Sequence, residues 1–179
     1  MTLPYERTRS LRFGFEFLAE LHMSDNLTPE QRHTLNDILS AYPTFEEIKA
    51  WAADCMAEVD PLGFGEPDLA LEGEDYQVRL PQGFKMWGRP TIEPWQRTRA
   101  LRMMDEFLQQ LRWTQNLTDA QKRSIQFVQR HYVERWHLER MAQHGEQKLR
   151  KDPTLKVWLL PEPGQDWQGE SQTTGGIPS

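Results

Sequence analysis

Apolar residues recur along this chain with the period of a helix, and they do so in two matching stretches. Leu11, Phe17, Leu18 and Leu21 fall within one third of a helical wheel, as do Leu101, Phe107, Leu108 and Leu111. Such a stripe marks a helix with one face on a core. The spacing predicts a helix from about Pro4 to His22, a connection over Met23–Leu27 and a second helix opening at Thr28-Pro29-Glu30-Gln31. Thr28 can cap, Pro29 suits the first helical position and Gln31 can close a capping box. Thr118-Asp119-Ala120-Gln121 repeats that opening. Leu35, Ile38 and Tyr42 supply the inner face of the second helix, matched by Ile125, Val128 and Tyr132.

These matches keep a fixed offset of ninety residues. Pro4-Tyr5-Glu6-Arg7-Thr8-Arg9-Ser10-Leu11-Arg12 returns as Pro94-Trp95-Gln96-Arg97-Thr98-Arg99-Ala100-Leu101-Arg102, and Asn26-Leu27-Thr28 as Asn116-Leu117-Thr118. The chain is a tandem duplication. Beyond the hairpins the copies part. Pro43 stops the second helix of copy one, and Thr44-Phe45-Glu46-Glu47 starts a third, running to about Val59 with a stripe of Phe45, Ile48, Ala52, Cys55 and Met56. Val133 stands where copy one has Pro43, and no breaker follows before Gly145 or Pro153. This predicts one fused rod from Asp119 to about Gln143, extending as far as Lys151. On it Phe127, His131, Leu138, Ala142 and Leu149 have the spacing of a coiled-coil seam, suited to the protein's own core or to a second copy in a homodimer.

The fold class expected is mainly α, a helical bundle of two tandem helical-hairpin units at residues 1–59 and 94–151. Asp60–Asp75 is acidic and rich in glycine and proline, which predicts a linker within residues 60–93. Tyr76–Pro81 and Lys156–Pro161 read as short strands able to pair as a two-stranded β ribbon. Glu162–Ser179 reads as a disordered tail within the last segment, 152–179.

Apolar residues make up 37% of the 179 and the mean hydropathy is −0.77, which predicts modest cores and exposed helix faces. No run of the sequence has the length and apolarity of a membrane span, and the N-terminus lacks the pattern of a signal peptide. Cys55 is the single cysteine, so no internal disulfide forms and a reducing, cytoplasmic setting is expected. The net charge of −6 is unevenly spread: residues 1–75 hold 16 acids and 5 bases, the remainder 11 and 16, giving −11 and +5. Such an asymmetry can orient a partner or reflect drift on solvated faces.

Candidate chemistry follows from this layout. Arg7 and Arg97 project onto the apolar side, as braces that lay their stems on the core. Arg9, Arg12, Arg99 and Arg102 project outward with Glu16 and Glu106, as a solvated face or an anion-binding surface. Copy two adds Arg130 and other bases interleaved with Trp95, Trp113 and Trp136, a composition that can hold nucleic acid. Glu66, Asp68, Glu72 and Glu74 make an acidic run that can imitate nucleic acid. Trp87, flanked by Met86 and Gly88, is a candidate interface aromatic. Glu134 and His137 have the i, i+3 spacing of a di-metal bundle ligand pair, but copy one has no second pair to complete it. No metal site, cofactor site or catalytic motif is expected, so the chain does not read as an enzyme.

The phrase Pro4-Tyr5-Glu6-Arg7-Thr8-Arg9, with Phe17-Leu18 and Tyr42-Pro43, resembles a family of short uncharacterised proteobacterial helical proteins. Its members span about one copy of the present unit, and some lie in prophage-like or other mobile regions. Copy two departs at Gln96 and Val133. The resemblance implies no activity; it implies a bacterial accessory protein. The expected function is a small non-catalytic, cytoplasmic protein-binding or regulatory protein. One alternative is a mobile-element, anti-defence protein that inhibits a host nucleic-acid enzyme. Another is a nucleic-acid-binding regulator using copy two. No membrane partner is expected.

Overall fold

Six helices form along residues 2–59, 65–73, 78–86 and 88–164, the residues described by the computed structural model. They are α1 (Pro4–His22), α2 (Pro29–Ala41), α3 (Phe45–Ala57), α4 (Pro94–Leu111), α5 (Asp119–Gln129) and α6 (Arg135–Lys151). The protein is mainly α, a helical bundle, and none of these helices is long and apolar enough to cross a membrane. Thr28, Thr44 and Thr118 cap α2, α3 and α5, each in a closed capping box. At the start of α1 the Glu6 carboxylate accepts the Leu3 N–H at 2.9 Å, and at α4 the Gln96 amide oxygen accepts the Glu93 N–H at 2.8 Å. Gln96 therefore performs the local task of Glu6.

The fused rod does not form. Helix α5 ends at Gln129 and α6 begins at Arg135, although no proline separates them. Tertiary packing makes this break. Tyr132 and Val133 turn into the core, and the Tyr132 hydroxyl donates to the Leu101 carbonyl at 3.2 Å. Leu138, Met141 and Ala142 then bury where α6 packs on α4. A continuous rod would carry those residues away from α4. The proposed seam is dispersed accordingly: Leu138 and Ala142 lie in the core, Phe127 leans on Phe13 with ring centroids 4.7 Å apart, and His131 faces Glu6. In α3 the sequence stripe is also adjusted, because Trp51 is buried while Met56 is exposed.

Each first helix packs against the other copy: α1 on α5, and α2 on α4. Both copies thus contribute to one continuous core, related by an approximate internal two-fold of the kind that isologous dimers use. Asn26 and Asn116 mark it. Asn26 Nδ2 donates to the Asn116 carbonyl at 2.8 Å and Asn116 Nδ2 to the Asn26 carbonyl at 2.6 Å. Asn26 also donates to Gln121 Oε1, and Asn116 to Gln31 Oε1, both at 2.8 Å. Further along, the buried Tyr42 and Tyr132 hydroxyls meet at 3.5 Å. Tyr42 donates to the Leu11 carbonyl as Tyr132 does to Leu101.

The duplication extends past the helices. Residues 66–72 and 156–162 are irregular segments that close each copy, and they bury Leu69 and Leu159. Among the described residues no strand forms, so no ribbon is seen at 78–81 or 156–161; Tyr76 and Gln77 lie outside the described residues. Side chains take the backbone groups that a ladder would have used. Arg7 Nε donates to the Asp68 carbonyl at 2.7 Å, Arg97 Nη1 to the Trp158 carbonyl at 3.0 Å, and the Arg79 N–H to Glu16 Oε1 at 3.0 Å. The stretch read as linker is therefore docked structure where it is described, and Glu162, read as the start of a tail, is buried.

Two substitutions test this architecture. A Cβ on Gly14 would lie 2.4 Å from the Tyr42 hydroxyl oxygen, inside a fully packed core. Gly14→Ala is expected to destabilise by about 1–3 kcal/mol, measured by denaturant unfolding, with part of the loss recovered in Gly14→Ala/Tyr42→Phe. Glu72→Ala is expected to cost about 1–3 kcal/mol, because it removes the acceptor of the buried Arg12 Nε and Nη2 while Glu16 still holds Nη1; Glu66→Ala, at an exposed position, should change the same midpoint little.

Candidate functional site

The arginines of the repeated phrase divide differently from the sequence expectation. Arg7 and Arg97 brace, as predicted: both are buried, and Arg97 Nη2 adds a 3.1 Å bond to Glu47. Arg12 and Arg102 were expected to face outward, and here the prediction is corrected. Arg12 Nε lies 3.0 Å from Glu72 Oε2 and its Nη1 3.0 Å from Glu16, while Arg102 Nε lies 2.9 Å from Glu162 and its Nη1 2.7 Å from Glu106. The closing segments lie over what the wheel alone reads as a free face. Arg9 stays half exposed, on Glu72 and with its guanidinium 5.5 Å from the centre of the Tyr5 ring. Arg99 is exposed and borders a shallow 180 Å³ hollow with Trp95, Asp37 and Ser40.

The acidic run is largely occupied by the protein itself. The Glu72 side chain is only 3% exposed. Asp68 Oδ1 lies 2.7 Å from Arg140 Nη2 and 2.9 Å from His137 Nε2. Glu66 is exposed. Glu74 and Trp87 lie outside the described residues.

Exposed aromatic and cationic side chains lie at the end of α4, where Arg112 sits 5.4 Å from the centre of the Trp113 ring, and where α5 ends and α6 begins. Arg130 is exposed there, and Phe127, one turn earlier, is 53% exposed. Trp136 is 57% exposed; its indole N–H donates to Glu134, and the Arg140 guanidinium lies 5.5 Å from its ring centre. Trp136, Arg140 and His137 border a cavity of about 400 Å³ that reaches in to Arg7 and Tyr132. The Glu134–His137 spacing thus serves other ends, with Glu134 on Trp136 and His137 on Asp68. The sequence reading missed the Asp68–His137–Arg140 group, and a signal existed. The ninety-residue offset also aligns α3 with α6 and Glu72 with Glu162, which ties residues 66–72 to the fold.

The electrostatics are those of a braced surface rather than a reactive centre. Burial pushes the Cys55 thiol up to about 12, so it stays protonated and weakly nucleophilic. Burial also acts to raise the Asp68 and Glu47 carboxyls. For Asp68 the bonds from His137 and Arg140 outweigh it, and for Glu47 the Thr44 N–H with Arg97 and Arg89, so both sit below their ordinary values. A carboxyl lowered by folding contributes stability above its unfolded pKa, and that contribution is lost as pH falls through the folded value. The thermal midpoint is therefore expected to drop between about pH 5 and 3. Asp68→Asn should flatten that drop and lower the midpoint at pH 7.

No protein-family model, curated protein or solved structure matches the chain, so the functional reading rests on its own residues.

Proposed function

We propose that the protein is a small non-catalytic binding protein that engages another protein through its second repeat, where α5 ends and α6 begins. The observation that carries this reading is the pairing of two aromatic side chains, each more than half exposed, Phe127 and Trp136, with Arg130 and Arg140. Large aromatics and arginine are the residue types enriched at interface hot spots. Trp136 is already held by Glu134 and Arg140, so it has little rotamer freedom left to lose on binding. The neighbouring cavity offers a pocket for an anchor side chain of the partner.

Inhibition of a host nucleic-acid enzyme is compatible with the same basic surface. Imitation of nucleic acid by the acidic run has less behind it, because Asp68 and Glu72 are engaged within the chain. Direct binding of nucleic acid draws on Lys122, Arg123 and Arg130, whereas Arg135 is paired with Glu139 and Arg140 with Asp68.

The test is affinity purification of the tagged protein from its native host after nuclease treatment. A protein partner is expected to be retained, with its recovery reduced at least about tenfold by Trp136→Ala and by Arg140→Glu and unchanged by Arg99→Ala. Equal recovery by all variants would reject this surface. Retention of nucleic acid alone, with a steep dependence on salt, would replace the reading with direct nucleic-acid binding.

A further inference from the structure

Helix α5 buries Gln121, Ile125 and Val128 and turns Arg123, Phe127 and Arg130 to solvent. Arg130 keeps helical backbone angles at the C-cap, so the three exposed residues follow one helical path. At 3.6 residues per turn they fall within about 60° of each other, in a stripe about 10 Å long. Among the described residues no carboxylate pairs with Arg123, Arg130 or the adjoining Lys122. Glu6 and Glu134, the acids beside the end of the helix, are engaged elsewhere, Glu6 on the Leu3 N–H and His131, Glu134 on Trp136.

Phe127 stands between the two arginines and is held in place. Its ring meets that of Phe13 edge to face at 4.7 Å, and the Arg12 guanidinium lies 4.3 Å from the centre of the Phe13 ring. An ordered aromatic flanked by cations has the composition of an interface centre. The internal two-fold supplies a comparison within the same molecule. On α2 the equivalent outer positions hold His33, Asp37 and Ser40. These are exposed as well, and His33 lies 3.4 Å from Asp37 of its own helix. The two helices share a buried face and differ on the outer one.

We propose that the outer face of α5 binds an acidic segment of the partner protein, with carboxylates on Arg123 and Arg130 and an apolar side chain against Phe127. The inference rests on the reading of the second repeat as a protein-binding surface and adds the chemistry of what is bound there. Charge complementarity carries it, because three cations without a carboxylate flank one apolar anchor. The stripe is also short. Asp119 at the start of α5 and Glu134 beyond its end bound it with negative charge, which suits a peptide segment better than the continuous phosphates of nucleic acid.

The test is fluorescence anisotropy of the full chain with labelled probes: a short peptide of glutamates around a central Leu-Trp pair, the same peptide with glutamines for glutamates, the same with serines for the Leu-Trp pair, and oligothymidine. The acidic peptide is expected to bind, the glutamine and serine peptides each at least about tenfold more weakly, and oligothymidine not measurably. Arg123→His/Phe127→Asp/Arg130→Ser gives α5 the outer face of α2, and is expected to weaken the acidic peptide at least about tenfold with an intact cooperative melt. Should that variant fail to fold, Arg123→Glu, at an exposed position, makes the same test. No binding of the acidic peptide, equal binding of the glutamine peptide, or binding that survives these variants would each overturn the proposal. Oligothymidine bound as tightly as the peptide would overturn it in favour of nucleic acid. Partner recovery from the host separates this inference from the reading beneath it: recovery lowered by Trp136→Ala but not by Arg123→Glu overturns only the acidic segment on α5, and recovery lowered by neither overturns both.

Discussion

The constraint on which the structure depends is that each buried guanidinium of the repeated phrase must find oxygen. Arg12 is 6% exposed and Arg7 8% exposed, and an unpaired charge at such depth is strongly destabilising. Their partners lie sixty residues on, in the segment 66–72, and the second copy solves the same problem with 156–162. Thr8 joins them by accepting the Ala70 N–H. One turn of helix thus fixes the path of a distant, irregular segment. That segment in turn carries Leu69 or Leu159 over the helices and closes the core. The ion pairs specify where the chain goes, and burial of apolar surface supplies most of the stability.

Duplication then removes the need for a partner subunit at the dyad. The Asn26 and Asn116 amides exchange bonds with each other's carbonyls, as equivalent residues do across a symmetric dimer. Here a single chain provides both. Because the copies are covalently joined, equivalent positions are free to differ so long as the pair still fits. Gly14 leaves room for Tyr42, while its equivalent, Met104, fills the core from the other side. Cys55 sits at the position of Gly145, and without a side chain there the Leu159 carbonyl closes directly onto α6. The acid Asp68 and the aromatic Trp158 likewise hold equivalent places by different means, one on His137 and Arg140, the other stacked on Trp51 and donating to Asp54.

Helix starts and core faces were legible in the sequence because each rests on local rules: a threonine cap, a proline at the first turn, a 3.6-residue stripe. The end of α5 was not, because Tyr132 breaks that helix through a bond to Leu101 in another helix, and no local signal encodes it. The outward reading of Arg12 and Arg102 failed for the same reason. A helical wheel reports which residues share a face, not whether a later segment covers that face. The acidic run misled in a related way: composition counts Glu72 as a surface charge, but its partner Arg12 lies sixty residues earlier.

This bears on where function resides. Residues that both copies share are nearly all occupied in holding the fold: Arg7 and Arg97, Arg12 and Arg102, Asn26 and Asn116, Tyr42 and Tyr132. A surface built from them would be present twice, related by the internal two-fold. Arg9 and Arg99 are exposed in both copies, but the exposed aromatic and cationic groups around the start of α6 are residues without a matching equivalent. Trp136 stands where copy one has Glu46, Arg140 where it has Ala50, Phe127 where it has Asp37 and Arg130 where it has Ser40. Four acidic or small residues in one copy face four aromatic or cationic ones in the other. None of the four substitutions is required by the core, since all four side chains are exposed in copy two. Contacts within the chain account for part of two of them, since Phe127 lies against Phe13 and Arg140 on Asp68; for Trp136 and Arg130 the partner-binding surface proposed above is the reading that would account for the difference between the copies.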